Sequence, residues 1–385
     1  MSRIDDLIAE RAPKGVKSCA LDTIVKFRRG TSITKSAVTA GVVPVIAGGR
    51  SPAYFHSASN RTGETIAVAG SGAYAGFVSY WDIPVFVSDA FSVHPDVSLL
   101  LPKYVYYFLL AKQDVIHSTK TGGGVPHVKG ADIGFLRIPV APLEIQHEIV
   151  RILDTFTELE AELEAELEAR RRQYAYYRDS LLRYPEAEGI EFESLGDIAE
   201  FKYGYTASAQ DEGDCRFLRI TDISPSGKLS PFGAKFVDFG TATDDYLVRP
   251  GDLLMARTGA TYGKTMLVDS VDPAIYASFL IRIRLNESTI LPSYYWHFAQ
   301  SNLYWSQANS MVSTGGQPQF NANVLKLIKV PIPTLDEQER IVAVLDKFDA
   351  LVNDLSLGLP AELATRRKQY EYYRDKLLTF DEAIS

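Results

Sequence analysis

The residues best placed to do chemistry are a glycine-rich run, Gly70-Ser71-Gly72-Ala73-Tyr74-Ala75-Gly76, six histidines and two cysteines. A G-x-G-x-x-G loop cradles phosphate on its backbone amides at the start of a helix. Here the third glycine comes one residue late, and Phe77-Val78-Ser79-Tyr80 reads as strand, not helix. No Walker sequence and no N/D-P-P-Y methyltransferase signature is present. His56, His94, His117, His127, His147 and His297 show no ligand spacing, and Cys19 and Cys215 are too far apart in sequence to suggest a disulfide framework or zinc site. No catalytic residue, metal site or cofactor bound by this chain is expected.

A chain of 385 residues is long enough for two or three domains. Its balance of 46% hydrophobic and 23% charged residues is that of a globular protein. No apolar run reaches the roughly 20 residues that span a bilayer. The first residues lack the basic-then-apolar order of a signal peptide, so a cytoplasmic location and no membrane partner are expected. The net charge of −8 is unevenly spread: +5 over residues 1–142, −6 over 143–188, −3 over 189–335 and −4 over 336–385. Acid gathers in two short stretches and the first large segment is basic, which permits nucleic-acid binding without requiring it.

Those two acidic stretches are copies of each other. Leu143, Gln146, Ile149, Val150, Leu153, Asp154 and Phe156 recur at identical spacing as Leu335, Gln338, Ile341, Val342, Leu345, Asp346 and Phe348. Further on, residues 171–182 and 367–378 agree at nine of twelve positions, including both Gln-Tyr-x-Tyr-Tyr-Arg-Asp segments. Weaker echoes link Gly15, Leu21, Ile24 and Phe27 to Gly189, Leu195, Ile198 and Phe201, and Gly122-Gly123-Gly124-Val125-Pro126 to Gly315-Gly316-Gln317-Pro318. At the offset of the first set, Asp5-Asp6-Leu7-Ile8 matches Asp179-Ser180-Leu181-Leu182. The chain thus opens on what is elsewhere the end of a helix, as in a duplicated protein read from a circularly permuted start; the plainer alternative is a tandem duplication with an unrelated tail.

Each copied stretch has apolar residues at three- and four-residue steps, the signature of a long helix with one apolar stripe. Residues 144–183 would span about 60 Å at ~1.5 Å per residue. In the second copy, Gly358-Leu359-Pro360 should kink or break the helix. Two such helices in one chain suit an antiparallel pair, with Tyr174, Tyr177, Tyr370 and Tyr373 packed along the stripe. Between them, short β-branched runs such as Val42–Ile46, Thr65–Ala69 and Leu253–Ala256 read as strands, and Lys103–Lys112 and Ser293–Trp305 as helices. The fold class is α/β (α+β): two α/β domains separated by two long antiparallel coiled-coil helices in a pseudo-twofold, circular arrangement. The expected divisions are 1–142, 143–184, 185–334 and 335–385.

The run Pro331-Ile332-Pro333-Thr334-Leu335-Asp336-Glu337-Gln338-Glu339-Arg340-Ile341-Val342, together with the Arg-Arg/Lys-Gln-Tyr-x-Tyr-Tyr-Arg-Asp endings, resembles type I restriction–modification specificity subunits over essentially the whole chain. The first copy departs slightly, with Ala141 between Val140 and Pro142. The resemblance implies two target-recognition domains reading the halves of a bipartite, asymmetric target in double-stranded DNA, with the helices setting the gap. It also implies two methyltransferase subunits on the helical pair and restriction/translocase subunits joining that core, with S-adenosylmethionine, ATP and Mg on those partners. Two different classes of reading stay open beside it: a specificity subunit of another restriction class with the same plan, and a coiled-coil adaptor that binds no DNA.

Groove readers need Arg, Lys, Asn or Gln on loops that reach base edges, with backbone amides and hydroxyls holding phosphates. In the first domain the candidates are Lys26, Arg28, Arg29 and Thr31; Gly49, Arg50 and Ser51; and Lys120, Thr121 and Gly123. In the second they are Lys202, Tyr203 and Tyr205; Arg219 and Thr221; Arg257, Thr258 and Gly259; and Gly315 and Gln317. The groups Arg170–Arg172 and Arg366–Lys368 could face DNA backbone or a partner's acidic surface.

Overall fold

The structure, a computed structural model, describes residues 3–122, 124–184, 189–238, 240–269, 272–312 and 320–383. The first half of the chain begins with α1 (Arg3–Arg11), β1 (Ser18–Ala20), α2 (Leu21–Ile24), β2 (Val25–Arg29), β3 (Val43–Ile46), β4 (Tyr54–His56) and β5 (Thr65–Ala69). It continues with β6 (Val78–Trp81), β7 (Phe86–Val87), β8 (Ala90–Pro95), α3 (Pro102–Ala111), α4 (Gln113–Ser118), α5 (Gly130–Ile133), β9 (Arg137–Pro139) and α6 (Leu143–Leu181). The second half opens with β10 (Glu191–Ser194), α7 (Leu195–Ile198), β11 (Ala199–Tyr203), β12 (Cys215–Leu218), β13 (Phe236–Val237), β14 (Leu253–Ala256), β15 (Thr265–Leu267), β16 (Ala274–Tyr276) and β17 (Leu280–Leu285). It ends with α8 (Pro292–Phe298), α9 (Asn302–Met311), α10 (Ala322–Leu325), β18 (Lys329–Ile332), α11 (Leu335–Asn353) and α12 (Leu359–Leu377).

The elements gather into two compact units, residues 1–163 with 363–385, and residues 164–362. In the first unit an antiparallel sheet runs β2-β8-β5-β6, a three-stranded sheet runs β4-β3-β7 with β3 and β7 parallel, and β1 pairs with β9. Strand β5, Thr-Ile-Ala-Val-Ala, is buried along its whole length, as its β-branched composition favours for a central strand. The second unit repeats this plan: β11-β17-β14-β15, then β13-β12-β16 with β12 and β16 parallel, and β10 with β18. Each four-stranded sheet is covered by a helix that starts on proline, Pro102 in α3 and Pro292 in α8, where the missing amide proton is not needed.

The repeated residues of the long helices hold each unit's layers together. In the first unit the buried Gln146 amide donates to Leu99 and Ala141 oxygens at 2.7 Å each, and its oxygen accepts from Leu101 N at 2.9 Å. In the second, Gln338 makes the same three bonds to Thr289 O, Pro333 O and Leu291 N. The repeated aspartates anchor the covering helices through different partners. Asp154 accepts from Lys103 Nζ (2.7 Å) and Tyr107 OH (2.5 Å), while Asp346 accepts from His297 Nε2 (2.8 Å). Burial and the Asp154 charge push the Tyr107 phenol well above its ordinary pKa.

The tyrosines lie on the helical seam. Tyr174 and Tyr177 stack on Phe348 in the second unit, and Tyr373 stacks on Phe156 in the first, with Tyr370 beside it. In the first unit the paired segments run antiparallel, as Phe156 with Tyr370 and Glu160 with Arg367 show. Arg170, Arg172 and Arg367 form ion pairs with Glu166, Glu168 and Glu160. The Gly358 region is a complete break: α11 ends at Asn353, and Asp354 Oδ1 caps the turn by accepting from Ser356 N and Leu357 N. Leu355, which continues the three-residue step from Val352, is 64% exposed in that turn. The single helix expected over Ser293–Trp305 is two, because the Ser301 hydroxyl caps α9 at Tyr304 N while donating to Phe298 O.

The beginning of the chain sits against its end. Ile4, Leu7 and Ile8 of α1 share a core with Leu377, Leu378 and Phe380, and Val16 N donates to Asp381 O at 2.8 Å. The first unit is therefore closed by both ends of the chain, as a circularly permuted duplication requires.

Candidate nucleic-acid interface

Lys26, Arg28 and Arg29 lie on strand β2, not on a loop, and alternation divides them between two faces. Lys26 and Arg28 line a groove with His94 and Asp96. There Arg61 donates to Ser92 Oγ (2.8 Å), whose hydroxyl lies 2.8 Å from His94 Nε2. Burial first, then the positive charges of Arg28 and Arg61, holds the His94 pKa below its usual value. Arg29 points the other way, into a cleft of about 550 Å3 with Asp89, His127 and Lys129.

The remaining candidates of the first unit come together beside that cleft. Arg50 lies over the Tyr74 ring (4.9 Å), Lys120 Nζ reaches Ala73 O (3.3 Å), and His127 bridges to both Ser71 and Thr121. A Cβ on Gly48 would meet Ser71 O at 2.4 Å, so only glycine lets these two loops touch. Thr31, Gly49, Arg50, Ser51 and Thr121 are exposed, and Lys120 is half-buried. Gly123 lies outside the described residues.

In the second unit Lys202 and Tyr203 are on strand β11 and Tyr205 just beyond it, bridged to Ala277. Lys202 is tied to Asp245 (3.2 Å) and lies over the Tyr246 ring (4.7 Å). Arg219 is committed to the buried Asp222 and to Gly233 O, leaving Thr221 exposed on the short 3-10 turn Ile220–Asp222. Arg257 sits over Tyr203 (5.3 Å) and Phe279 (5.6 Å) and donates Nε to Ser278 O, next to Thr258 and the left-handed Gly259. Gly315 and Gln317 lie outside the described residues. The structure therefore brings Tyr203, Arg257, Thr258 and Gly259 together, while Lys202 and Arg219 have intramolecular partners.

The glycine-rich run that resembled a phosphate loop is the counterpart of the Arg257 turn. Gly76 N bonds Ala69 O and Ala75 N bonds Gly72 O; Gly263 N bonds Ala256 O and Tyr262 N bonds Gly259 O. Gly72, Gly76, Gly259 and Gly263 all have positive φ. Ser71, Tyr74, Asp89, His127 and Lys129 were not among the sequence candidates. The Gly-x-x-x-Gly spacing shared by residues 72–76 and 259–263 is the signal in the sequence that singles out Tyr74.

Among the described residues no group of His, Cys, Asp and Glu could hold a metal ion, and no helix is long and apolar enough to cross a membrane. The family model for the type I restriction modification DNA specificity domain matches the chain twice, over residues 13–169 and 187–365. The chain belongs to this family. A type I restriction enzyme specificity subunit of Escherichia coli is 33% identical over 304 residues, which is 74% of this chain and 72% of the relative. A putative one from Haemophilus influenzae is 34% identical over 267 residues, spanning 63% of each chain. The solved S subunit of a type I restriction–modification system from M. genitalium shares the fold with a TM-score of 0.61 at 18% identity, over 94% of this chain and 96% of that one. A second type I chain matches with a TM-score of 0.61 at 19% identity, covering 96% of this chain and 98% of that one. The chain is a type I specificity subunit with two target-recognition domains, a non-catalytic member of its system, and the matches favour no other restriction class.

Proposed function

We propose that this chain reads a split sequence in double-stranded DNA, each unit contacting one half-site, and carries that specificity to two methyltransferase subunits and to restriction/translocase subunits in the cytoplasm. S-adenosylmethionine, ATP and Mg are held by those partners in this reading, and recognition divides over residues 1–142 and 185–334. The observation that carries it is a duplicated backbone frame whose strand ends and loops bear different side chains: Arg29, Arg50 and Lys120 in one copy, Tyr203, Tyr205 and Arg257 in the other. Two copies of one frame suit two half-sites, and unlike contents make the half-sites differ. The exposed cations supply the salt-dependent attraction to phosphate, and the chain's net charge of −8 leaves DNA affinity weak until the methyltransferase subunits are bound. Exchanging residues 190–334 for the matching segment of a relative tests this. One half of the methylated motif should change and the other persist; a change in both halves together overturns the two-module reading.

A further inference from the structure

The two recognition frames can be superposed bond for bond at one place, and there their contents are opposite. In the first unit Gly70 N donates to Asp89 O (3.0 Å) and Val128 N to Gly70 O (3.0 Å); in the second, Arg257 N donates to Phe279 O (3.0 Å) and Phe320 N to Arg257 O (2.8 Å). Gly30 N bonds Ala90 O just as Gly204 N bonds Leu280 O, which aligns Arg29 with Tyr203. Where the second unit has Tyr203, Arg257 and Phe279, the first thus has Arg29, Gly70 and Asp89. In the second unit the Arg257 guanidinium covers the two aromatic rings. In the first, glycine at the same position leaves the cleft of about 550 Å3 open.

The walls of that cleft carry complementary chemistry. Arg29 and Lys129 are exposed on one strand end and one helix start, and neither makes an ion pair among the described residues. Asp89 is exposed and lines the same cleft, its Oδ2 accepting from Ser71 Oγ, which holds the carboxylate and leaves Oδ1 to accept another donor. The floor is tightly packed: a Cβ at Gly30 would lie 2.1 Å from Ser88 O, and one at Gly130 would lie 2.6 Å from the Phe27 side chain. A tightly packed floor with a held acceptor and a planar donor in one cleft is suited to reading a base edge, because the acceptor stays in place while the arginine fork closes on its partner. Guanine offers two acceptors, O6 and N7, to an arginine fork, and cytosine offers its N4 amino group to a carboxylate. Only a G·C pair presents both to one such cleft.

We propose that the Arg29–Asp89 cleft of the first unit reads a G·C pair of its half-site, Arg29 donating to guanine and Asp89 accepting from cytosine N4, with Lys129 on an adjacent phosphate. This rests on the reading of the chain as a two-half-site DNA reader. The place where two copies of one frame exchange all three side chains at once is where a protein that reads two different half-sites must differ.

The test maps methylated motifs made by the full chain assembled with its methyltransferase subunits. Arg29→Ala and Asp89→Asn should each relax one G·C position of one half-site by roughly tenfold or more, with the other half-site unchanged. Arg29→Tyr/Gly70→Arg/Asp89→Phe, which grafts the second unit's contents, should change the base accepted at that position. If the graft fails to fold, the two single variants still decide, because both positions are exposed. Unchanged stringency at every position in both single variants overturns the cleft while leaving the two-module reading intact. A wild-type complex that methylates no split motif overturns both.

Discussion

Gln146→Ala removes one side chain and strands three backbone groups. The Gln146 amide is fully buried, and its bonds to Leu99 O, Ala141 O and Leu101 N are 2.7, 2.7 and 2.9 Å long. A buried backbone group left without a partner costs about 1–3 kcal/mol. Three groups served by one amide put the loss at about 3–5 kcal/mol, within the range reserved for breaking a buried network. Gln338→Ala should cost the second unit a similar amount, since its three bonds are 2.9, 3.0 and 2.9 Å. Gln146→Glu keeps the shape but sets a second acceptor oxygen against the Leu99 and Ala141 carbonyls. Burial raises the pKa of the introduced carboxyl in the folded state, so its penalty is greatest at neutral pH. The penalty eases as pH falls through that raised pKa and the protonated carboxyl donates to one carbonyl. Urea unfolding of the full chain at two pH values measures all three variants. A loss below about 1 kcal/mol for Gln146→Ala would show that water replaces the amide and would refute the reasoning.

Deleting Ala165–Glu168 shortens α6 by about 6 Å and turns the remainder of the helix by about 40°, close to the roughly 34° that DNA turns per base pair; methylation mapping should return unchanged half-sites and a spacer one base pair shorter, and an unchanged spacer counts against the helix as a ruler. His94 has a lowered folded-state pKa, so the unfolded chain takes up its proton first; stability should fall as pH drops through about 6.5, and urea midpoints at pH 7.5 and 5.5 should differ less in His94→Gln. Arg50→Ala should weaken DNA binding by the assembled complex similarly for all sequences and lower the salt slope by about one, measured by titration at several salt concentrations.

The helical half of the fold was legible because a 3.6-residue stripe and a duplicated motif need no tertiary information. Pro360 and Gly358 marked the break between α11 and α12, although the turn itself is made by Asp354, whose capping role depends on a geometry that sequence does not display. The apolar-aromatic run over Ser293–Trp305 hid a boundary, since Ser301 is one small residue inside a strong pattern. Lys26–Arg29 looked like a basic loop, yet Val25 and Phe27 alternate with the cations and carry the strand's period of two. The cleft was the least legible feature. Asp89 and Lys129 share a cleft with Arg29 from 60 and 100 positions away, across glycines whose purpose shows only when their neighbours' backbones are seen.

Two unlike copies of one frame should read two unlike half-sites. Methylation-detecting sequencing tests this directly, on DNA modified in cells that carry this chain and its methyltransferase subunits and in cells from which this chain alone is deleted. One split motif is expected, with two different short halves separated by a fixed number of unspecified bases, and absent from the deletion strain. A continuous motif, a palindromic pair of identical halves, or a motif that survives the deletion would contradict it.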